Sequence, residues 1–445
     1  MASHSTHAAD YLISGGLVAT MNGKRELIED GAVAVKGQKI IWVGSAEQAK
    51  VQVRAGTTID ATGQAVIPGL VNTHSHLAMT LFRGLADDRP LEAWLARIWP
   101  LEVKYATAQN TRIGTQLAMV EMIRGGITCS ADMYWQFAEN IRAAREAGFR
   151  MVNGPAMIEI VGPDGAMSGD LEKKARDLIE QYRDDPLISL CVQVHSTYTA
   201  TKEMLAIAAQ LSEEYNLLFI THASESKSEV ETVKERFGKT PIEYLHAKGL
   251  LGARTLLAHC VHLRDDEIAL LHETQTSVAH CPESNLKVGN GVARIPAMLK
   301  AGVNVGLGTD GAASNNDLDM FGEMRTAALI HKGVNLDPTV MTAEETFAMA
   351  TINGARAFNL GNSIGSLEPG KLADITLVEL NSPNVTPMYN IYSHLVYAVD
   401  KNDVRTVFIN GQLVMQDRKL LTLDEESIKA RARAIAREMA AEAGQ

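Results

Sequence analysis

The sequence lacks any long hydrophobic run. No apolar stretch approaches the roughly 18 residues that a membrane-spanning helix needs, so we expect no such helix. The opening segment, MASHSTHAAD, contains neither the basic region nor the apolar region of a secretory signal. We therefore predict a cytoplasmic protein that makes no contact with a membrane.

Cysteine is scarce, and the few that occur are isolated. The four cysteines are Cys129, Cys191, Cys260 and Cys281. They lie far apart in apolar stretches and form no C-x-x-C pair. We interpret them as buried free thiols in a reducing compartment.

Positive charge is also in deficit. The 445 residues include 42 basic and 53 acidic side chains, for a formal net charge of −11. Proteins that bind nucleic acid carry basic patches, and we find none, so we expect no nucleic-acid partner. The content of 46% hydrophobic and 21% charged residues is ordinary for a globular protein of more than one domain.

The two ends of the chain share a β-rich texture that the middle does not have. Stretches such as DYLISGGLVATMNGK and VRTVFINGQLVMQ alternate apolar residues with turn residues, as hairpins do. We predict a small β-sandwich domain built from both termini, followed by a surface helix. The predicted division is a disordered segment 1–9, a β domain 10–65 plus 362–423, a catalytic barrel 66–361 and a helix 424–445.

Eight short apolar runs alternate with helical stretches in the middle of the chain. The runs are AVIPGLVNTH, GITCSADM, RMVNGPAM, ISLCVQVH, LLFITHA, TLLAHCVH, TSVAHCP and VNVGLGTD. This alternation predicts an α/β fold, specifically a (β/α)8 barrel of the TIM type. An open doubly wound sheet is the alternative, but no G-x-G-x-x-G motif follows the first run.

Polar side chains close most of these runs. Strand side chains alternate between faces, so His74 and His76 should point the same way. Active sites of such barrels lie at the carboxyl ends of the strands, so these groups should converge on one pocket. The residues that close the runs are His74 and His76, Asp132, His195, His222, His259, His280 and Asp310.

Four of these residues make a ligand set for a metal ion. His74, His76, His222 and Asp310 offer three imidazole nitrogens and one carboxylate, which suits zinc or iron(II). Glu225 follows His222 by three residues and could take a proton from water, although the first turn of a helix also favours an acid there. His259 could orient the same water. Structural roles are at least as probable for Asp132 and His280.

Longer motifs surround these residues and are collinear with a known family. The chain resembles the amidohydrolase superfamily and, within it, the 5-methylthioadenosine/S-adenosylhomocysteine deaminases. The resemblance covers almost the whole length. It is carried by PGLVNTHSHLAMTLFRGLADDRPLEAWL, THASES, LAHCVHL, HCPESNLKVGNGVARIP, GLGTDGAASNNDLDMFGEMRTA and GSLEPGKLADITLVEL.

The resemblance implies a metal-dependent deamination at C6 of an adenosine-type nucleoside. It implies one divalent ion per subunit, usually zinc with iron(II) or manganese as alternatives, and a water that attacks C6. Glu225 would be the proton shuttle to N1, His259 the polarising partner of the attacking oxygen, and Asp310 both a ligand and a base. The metal ligands implied are His74, His76, His222 and Asp310. The fourth run ends in His195 rather than in the lysine of two-metal relatives, which favours a single ion.

The resemblance also implies contacts to a small-molecule nucleoside. Trp94 matches an aromatic residue of the nucleoside pocket, Glu102 matches a carboxylate that accepts from ribose hydroxyls, and His195 matches a ribose-contacting histidine. Without the resemblance, Trp94 and Glu102 would be interpreted as an ordinary amphipathic helix face. Homo-oligomers are common among such barrels, and we expect one here.

One departure from the family bears on the substrate. Relatives that accept S-adenosylhomocysteine tend to place arginine after the third strand, where it can pair with the amino-acid carboxylate. Here no arginine lies between Glu159 and Lys174, and Met167 sits in the middle. We therefore predict a preference for 5′-methylthioadenosine, which yields 5′-methylthioinosine and ammonia, with S-adenosylhomocysteine or adenosine as weaker substrates.

Two alternatives remain at this point. A guanine deaminase or an s-triazine hydrolase of the same superfamily would apply the same chemistry to another ring. A non-enzymatic scaffold derived from a hydrolase would have lost a ligand or Glu225, and none is missing.

Glu102→Ala distinguishes a nucleoside substrate from a ring without ribose. We expect kcat/KM of the best substrate to fall about tenfold or more, because a hydrogen bond to a charged group contributes roughly 1.5–3 kcal/mol. Steady-state ammonia release measures this effect. Full activity of the variant would favour the free-base or triazine alternative.

Overall fold

The computed structural model describes residues 6–159 and 170–443. These residues form two β-sheets, one from both ends of the chain and one from its middle, with helices around the second. None of the described helices is long and apolar enough to cross a membrane.

The strands are numbered in chain order and fall into two groups. The terminal sheet contains β1 (His7–Ala19), β2 (Leu27–Lys36), β3 (Lys39–Ser45), β4 (Val53–Asp60), β5 (Gln64–Pro68), β15 (Ile375–Glu379), β16 (Val404–Ile409), β17 (Gln412–Gln416) and β18 (Lys419–Leu420). The barrel sheet contains β6 (Leu70–Asn72), β7 (Ile127–Ala131), β8 (Arg150–Asn153), β9 (Ala156–Met157), β10 (Ile188–Ser196), β11 (Leu218–Ala223), β12 (Thr255–His259), β13 (Ser277–His280) and β14 (Val305–Leu307).

The helices occur between the barrel strands and near both ends of the chain. They are α1 (Ala46–Gln52), α2 (Leu91–Tyr105), α3 (Ala108–Arg124), α4 (Phe137–Ala147), α5 (Leu171–Tyr182), α6 (Lys202–Glu214), α7 (Lys227–Phe237), α8 (Pro241–Ala247), α9 (Asp265–Glu273), α10 (Pro282–Lys287), α11 (Ile295–Lys300), α12 (Met320–Asn335), α13 (Ala343–Met349), α14 (Ile352–Ala357), α15 (Ile391–Tyr397) and α16 (Glu425–Ala443). Short 3-10 helices span Leu77–Phe82, Pro383–Val385 and Lys401–Asp403.

The barrel closes on itself. Its strands are hydrogen-bonded in the order β14-β13-β12-β11-β10-β8-β7-β6, and neighbouring strands are parallel. The backbone N–H of Thr73, just after β6, donates to the carbonyl of Leu307, the last residue of β14, at 2.8 Å, which joins the two end strands. Every residue of β11 is buried, as expected for a parallel strand that is covered on both faces. The predicted (β/α)8 barrel is confirmed.

The terminal sheet folds over a core of its own. Its hydrogen-bonding order is β18-β17-β16-β15-β5-β1-β2-β3, and β4 also pairs with β1. Apolar side chains from both halves lie in one cluster, for example Ile13 and Val33 from the first half and Ile375 and Phe408 from the second. The strands from both termini therefore form one sheet with a shared apolar core, rather than two separately ordered sheets.

Polar residues set the ends of the helices that connect the barrel strands. The side chain of Thr107 accepts a hydrogen bond from the backbone N–H of Asn110 and begins α3, and Gly125 ends it. In the same way, Thr201 accepts from the backbone N–H of Met204 at the start of α6. These caps supply partners for backbone groups that the helix itself leaves unpaired.

Two predicted boundaries are wrong. β1 begins at His7, because residues 7–9 pair in parallel with β4, so these residues do not belong to a disordered segment. The second wrong boundary lies in the apolar run that begins at Ala65, because the first part of this run is in the terminal sheet and the last part is in the barrel. β5 pairs antiparallel with β15 in the terminal sheet, and the barrel starts at Leu70, so the boundary lies at Gly69 rather than between 65 and 66.

A buried ion pair joins the barrel to the terminal sheet. The guanidinium of Arg150, at the start of β8, contacts both carboxylate oxygens of Asp374 at 2.7 and 3.1 Å. The two side chains are only 5% and 2% exposed. The backbone N–H of Asn410 also donates to Asp374 at 2.7 Å, so the carboxylate links three segments.

Asp374→Ala should destabilise the protein by about 3–5 kcal/mol, because it leaves the Arg150 charge buried without its partner. Chemical unfolding followed by intrinsic fluorescence measures the loss. Asp177→Ala, which breaks the exposed pair with Lys173, is the matched control and should leave the stability unchanged. Equal stability of the two variants would contradict this account of the domain junction.

Candidate active site

The two histidines after the first barrel strand face the residue after the last one. Nε2 of His74 lies 3.5 Å from Oδ1 of Asp310, and Nε2 of His76 lies 3.3 Å from the same oxygen. All three side chains are almost fully buried. Since β6 and β14 are the neighbours that close the barrel, His74 and Asp310, which are 236 positions apart in the chain, meet at one point.

This approach requires a glycine at position 308. A Cβ on Gly308 would lie 2.8 Å from the backbone nitrogen of His74, which is closer than a Cβ comes to an atom of another residue in a folded protein. The segment after β14 can therefore pass beside His74 only without a side chain.

His222 completes the cluster from the opposite part of the barrel. It lies in β11, and its Nε2 is 3.1 Å from Nε2 of His74 and 3.3 Å from Nε2 of His76. Three imidazole nitrogens and one carboxylate oxygen, contributed by three strands, thus point at a common space.

The other ring nitrogens of two of these histidines have backbone partners. Nδ1 of His76 lies 2.6 Å from the carbonyl oxygen of Met133, and Nδ1 of His222 lies 2.5 Å from that of His195. A carbonyl only accepts, so Nδ1 carries the hydrogen in both rings. Nε2 is then the nitrogen that presents a lone pair to the cluster, which is how proteins orient histidine ligands.

Burial favours neutral, ligating imidazoles at two of the three positions. It lowers the pKa of His74 to about 4 and that of His222 well below its ordinary value. Burial also disfavours the charged form of His76, but the hydrogen bond and charge of Asp310, the contact with the Met133 carbonyl and the charge of Asp132 together outweigh it and raise the pKa of His76 to about 9. A cation among the ligands would take the place of that proton.

The donor set fits a divalent ion. Lone pairs on Nε2 of His76 and His222 and an anionic oxygen of Asp310 converge with Nε2 of His74 at distances of 3.1 to 3.5 Å, an arrangement that positive charge among these atoms stabilises. Three nitrogens and one oxygen form a set that zinc and related ions prefer.

Asp310 is held firmly in place. Its second oxygen, Oδ2, accepts hydrogen bonds from the hydroxyls of Ser284 at 2.6 Å and Ser314 at 2.8 Å. The backbone N–H of Asp310 donates to the carbonyl of His74 at 2.9 Å. Its φ of 58° lies in the left-handed region, a conformation with an energetic cost that is common at functional sites.

Glu225 and His259 lie together beside this cluster. Oε2 of Glu225 is 3.9 Å from Nε2 of His259; the His259 side chain is buried, that of Glu225 is 13% exposed, and both line the same cavity. Nδ1 of His259 lies 2.9 Å from Oδ1 of Asn285, and the backbone of His259 is left-handed at φ 72°. Burial raises the pKa of the Glu225 carboxyl, which favours a group that can hold a proton.

A cavity of about 770 Å³ opens above the cluster. Its walls combine aromatic and apolar side chains with a few polar groups. The lining residues are His76, Met79, Leu91, Trp94, Leu95, Trp99, Glu102, Met133, Tyr134, Trp135, Ala156, Met157, Ile158, His195, Tyr198, His222, Glu225, His259, Ser284, Asp310 and Ser314.

The three residues expected to contact substrate all line this cavity. Trp94 is buried on α2 and donates from its indole N–H to the carbonyl of Ala313 at 3.2 Å. Glu102, also on α2, is 2% exposed and accepts a hydrogen bond from the Tyr134 hydroxyl at 2.7 Å. Burial raises the pKa of Glu102 to about 7. His195 ends β10 beside His222, with ring centroids 4.7 Å apart.

Several lining residues were not identified from the sequence. Trp99 follows Leu91 and Leu95 at intervals of four along α2, so a helical spacing argument could have placed it on the cavity face. Tyr134 and Trp135 follow the second barrel strand directly, and that position at a strand end was the available signal for them.

Asp132 and His280 have structural partners instead. Asp132 accepts from the backbone N–H of Leu77 at 2.8 Å and from the Asn153 amide at 2.9 Å, which ties the first three barrel strands together. Nε2 of His280 lies 3.0 Å from Nε2 of His331 on α12. Neither residue lines the cavity.

Comparison with known proteins places the chain in a family. Residues 65–414 match the model of the amidohydrolase family. The chain belongs to this family, whose members include metal-dependent hydrolases and deaminases.

Comparison with individual relatives narrows the assignment of the chain within the family. The chain is 44% identical over 433 residues to the 5-methylthioadenosine/S-adenosylhomocysteine deaminase of Syntrophobacter fumaroxidans, covering 96% of this chain and 98% of that protein. It is 45% identical over 388 residues to the 5′-deoxyadenosine deaminase of Methanothermobacter thermautotrophicus, covering 86% and 90%. These matches confirm the resemblance inferred from the sequence motifs.

A solved structure supports the same assignment. An adenosine deaminase from Xanthomonas campestris, crystallised with bound zinc, superimposes with a TM-score of 0.95 at 37% identity and covers 97% of this chain and 99% of that one. The family membership and the cluster of histidines with Asp310 together identify the protein as a metal-dependent hydrolase. Its divalent-metal site lies at the carboxyl ends of the barrel strands.

Proposed function

We propose that the protein deaminates adenosine-type nucleosides at C6, with 5′-methylthioadenosine as its preferred substrate and 5′-methylthioinosine and ammonia as products. The observation that carries this proposal is the position of Glu102. This buried carboxylate shares one cavity with the metal-ligand cluster and with Glu225. A ring and an attached sugar could therefore be held at the same time.

Zinc is the ion proposed, with one per subunit. His74, His76, His222 and Asp310 would hold it, and a single point of convergence supports a single ion. When bound, such an ion acts as a Lewis acid and makes water nucleophilic near neutral pH.

The side chains around the cluster would manage the protons of the reaction. His259 and Asp310 face the space where water would approach C6, so His259 can orient that water and Asp310 can accept its proton. Glu225 would deliver the proton of its carboxyl to N1 of the ring. The proton that Asp310 accepts from water would pass to the amine, which leaves as ammonia, and the proton of the new C6 hydroxyl would return to Glu225. Burial raises the pKa of Glu225, which favours the protonated form that it needs as a donor.

The cavity walls would hold the rest of the nucleoside. Glu102 can accept hydrogen bonds from two ribose hydroxyls, and the Tyr134 hydroxyl fixes its orientation. Trp94 and Trp99 offer aromatic surface, and His195 offers Nε2 because its Nδ1 contacts Thr199 at 2.8 Å. A free base would leave Glu102 buried without these partners, which favours a nucleoside.

The charge of the cavity favours a neutral 5′ substituent. No lysine or arginine occurs among the described residues that line it, whereas Met133, Met157 and Ile158 give it apolar surface. The predicted contribution of Met167 falls in residues 160–169, which lie outside the described residues. An amino-acid carboxylate would find no cationic partner in the described wall, and a methylthio group needs none.

The expected homo-oligomer and the absence of a nucleic-acid partner stay predictions.

Ammonia release from 5′-methylthioadenosine, S-adenosylhomocysteine and adenosine tests the substrate assignment. We expect kcat/KM to be highest for 5′-methylthioadenosine, by about tenfold or more over S-adenosylhomocysteine, because an unpaired charge is costly to desolvate. Mass spectrometry of the nucleoside identifies the inosine-type product. Equal use of S-adenosylhomocysteine would refute the preference, and no deamination of any nucleoside would refute the function.

A further inference from the structure

The carboxyl group of Glu225 uses its two oxygens differently. Oε2 lies on the side of His259, at 3.9 Å from Nε2. Oε1 accepts a hydrogen bond from the side-chain amide of Asn290 at 2.9 Å. The carboxylate therefore presents one oxygen to the reaction site, while the other is engaged by a neutral donor.

Asn290 is itself fixed by its surroundings. It lies after α10 and is 8% exposed. Its backbone N–H donates to the carbonyl of Asn285 at 2.9 Å, and its own carbonyl lies 2.9 Å from Nε2 of His262. The amide can therefore direct its N–H at Glu225 without losing other contacts.

His262 ties the segment of Asn290 to the segment of Glu225. Its backbone N–H donates to the carbonyl of Ser224 at 3.0 Å, while its ring donates to Asn290. This histidine lies on the strand-end motif LAHCVH but does not line the cavity. Its contacts explain its position as a link between two loops.

The main chain of Glu225 is held separately. The buried carboxylate of Glu229 accepts the backbone N–H groups of Ser224 at 3.1 Å and Glu225 at 2.6 Å. Glu229 thus fixes the backbone position of Glu225, and Asn290 fixes the orientation of the Glu225 carboxyl group.

We propose that Asn290 is a positioning residue that decides which oxygen of Glu225 carries the transferred proton. In a protonated carboxyl group, the oxygen without the hydrogen is the better acceptor. The N–H of Asn290 therefore favours the form in which Oε1 is unprotonated and the hydrogen sits on Oε2, which faces the cavity. This inference rests on the proposed role of Glu225 as proton shuttle.

Two substitutions at Asn290 test the proposal. Asn290→Asp keeps the size but removes the donor, and Asn290→Ala removes the side chain without adding charge. We expect each to lower kcat about tenfold or more while KM changes less than about threefold, since the lost contact acts in the proton transfer. Asn304→Asp, at a half-buried asparagine remote from the cavity, is the matched control and should keep wild-type kcat.

A double-mutant cycle separates positioning from general damage. In a Glu225→Gln background, Asn290→Asp should change the residual kcat less than about twofold, because the group it orients no longer transfers a proton. Metal content and thermal unfolding of every variant should match the parent. An equal loss in both backgrounds, unchanged kcat in the single variants, or an effect on KM alone would overturn the proposal.

A crystal structure of Asn290→Ala gives a readout that does not need activity. We expect the Glu225 carboxyl to turn away from the orientation described here, and an unchanged orientation would overturn the proposal. Failure of the wild-type protein to deaminate any nucleoside would instead refute the proposed function, so the two failures are distinguishable.

Discussion

The site depends on bringing three imidazole nitrogens and one carboxylate oxygen to one point at the carboxyl ends of the barrel strands. The Nε2 atoms of His74, His76 and His222 and an oxygen of Asp310 lie about as close as hydrogen-bonded atoms, and Nδ1 contacts to backbone carbonyls place the ring hydrogens of His76 and His222 away from the cluster. Positive charge among these atoms stabilises the arrangement. The closure of the barrel, which sets β14 beside β6, is what brings these ligands together.

Backbone conformation and hydrogen bonds around the cluster hold these side chains in position. His259 and Asp310 adopt left-handed backbone conformations, and the absence of a side chain at Gly308 lets the last strand pass beside the first. Hydroxyls of Ser284 and Ser314 hold the second oxygen of Asp310. Each device restricts a group that would otherwise have several orientations, so the reacting atoms meet a prearranged site.

The strand-end residues could be predicted because sequence position translates directly into space in a parallel barrel. Residues that end different strands must meet at one face, which brought His222 and Asp310 to His74 from the sequence alone. The boundary at Gly69 could not be predicted, because one apolar run serves two sheets and hydrophobicity does not reveal which neighbours a strand pairs with. The contact of Asn290 with Glu225 depends on loop geometry, which has no periodic signature in the sequence.

Metal content of two histidine variants tests the central claim most directly. His222 and His280 are both buried at the ends of barrel strands, but only His222 points into the cluster, since His280 pairs with His331. Elemental analysis of purified protein should show that His222→Ala has lost most of its divalent metal, whereas His280→Ala retains the wild-type amount. Retention of the wild-type amount by His222→Ala would contradict the account.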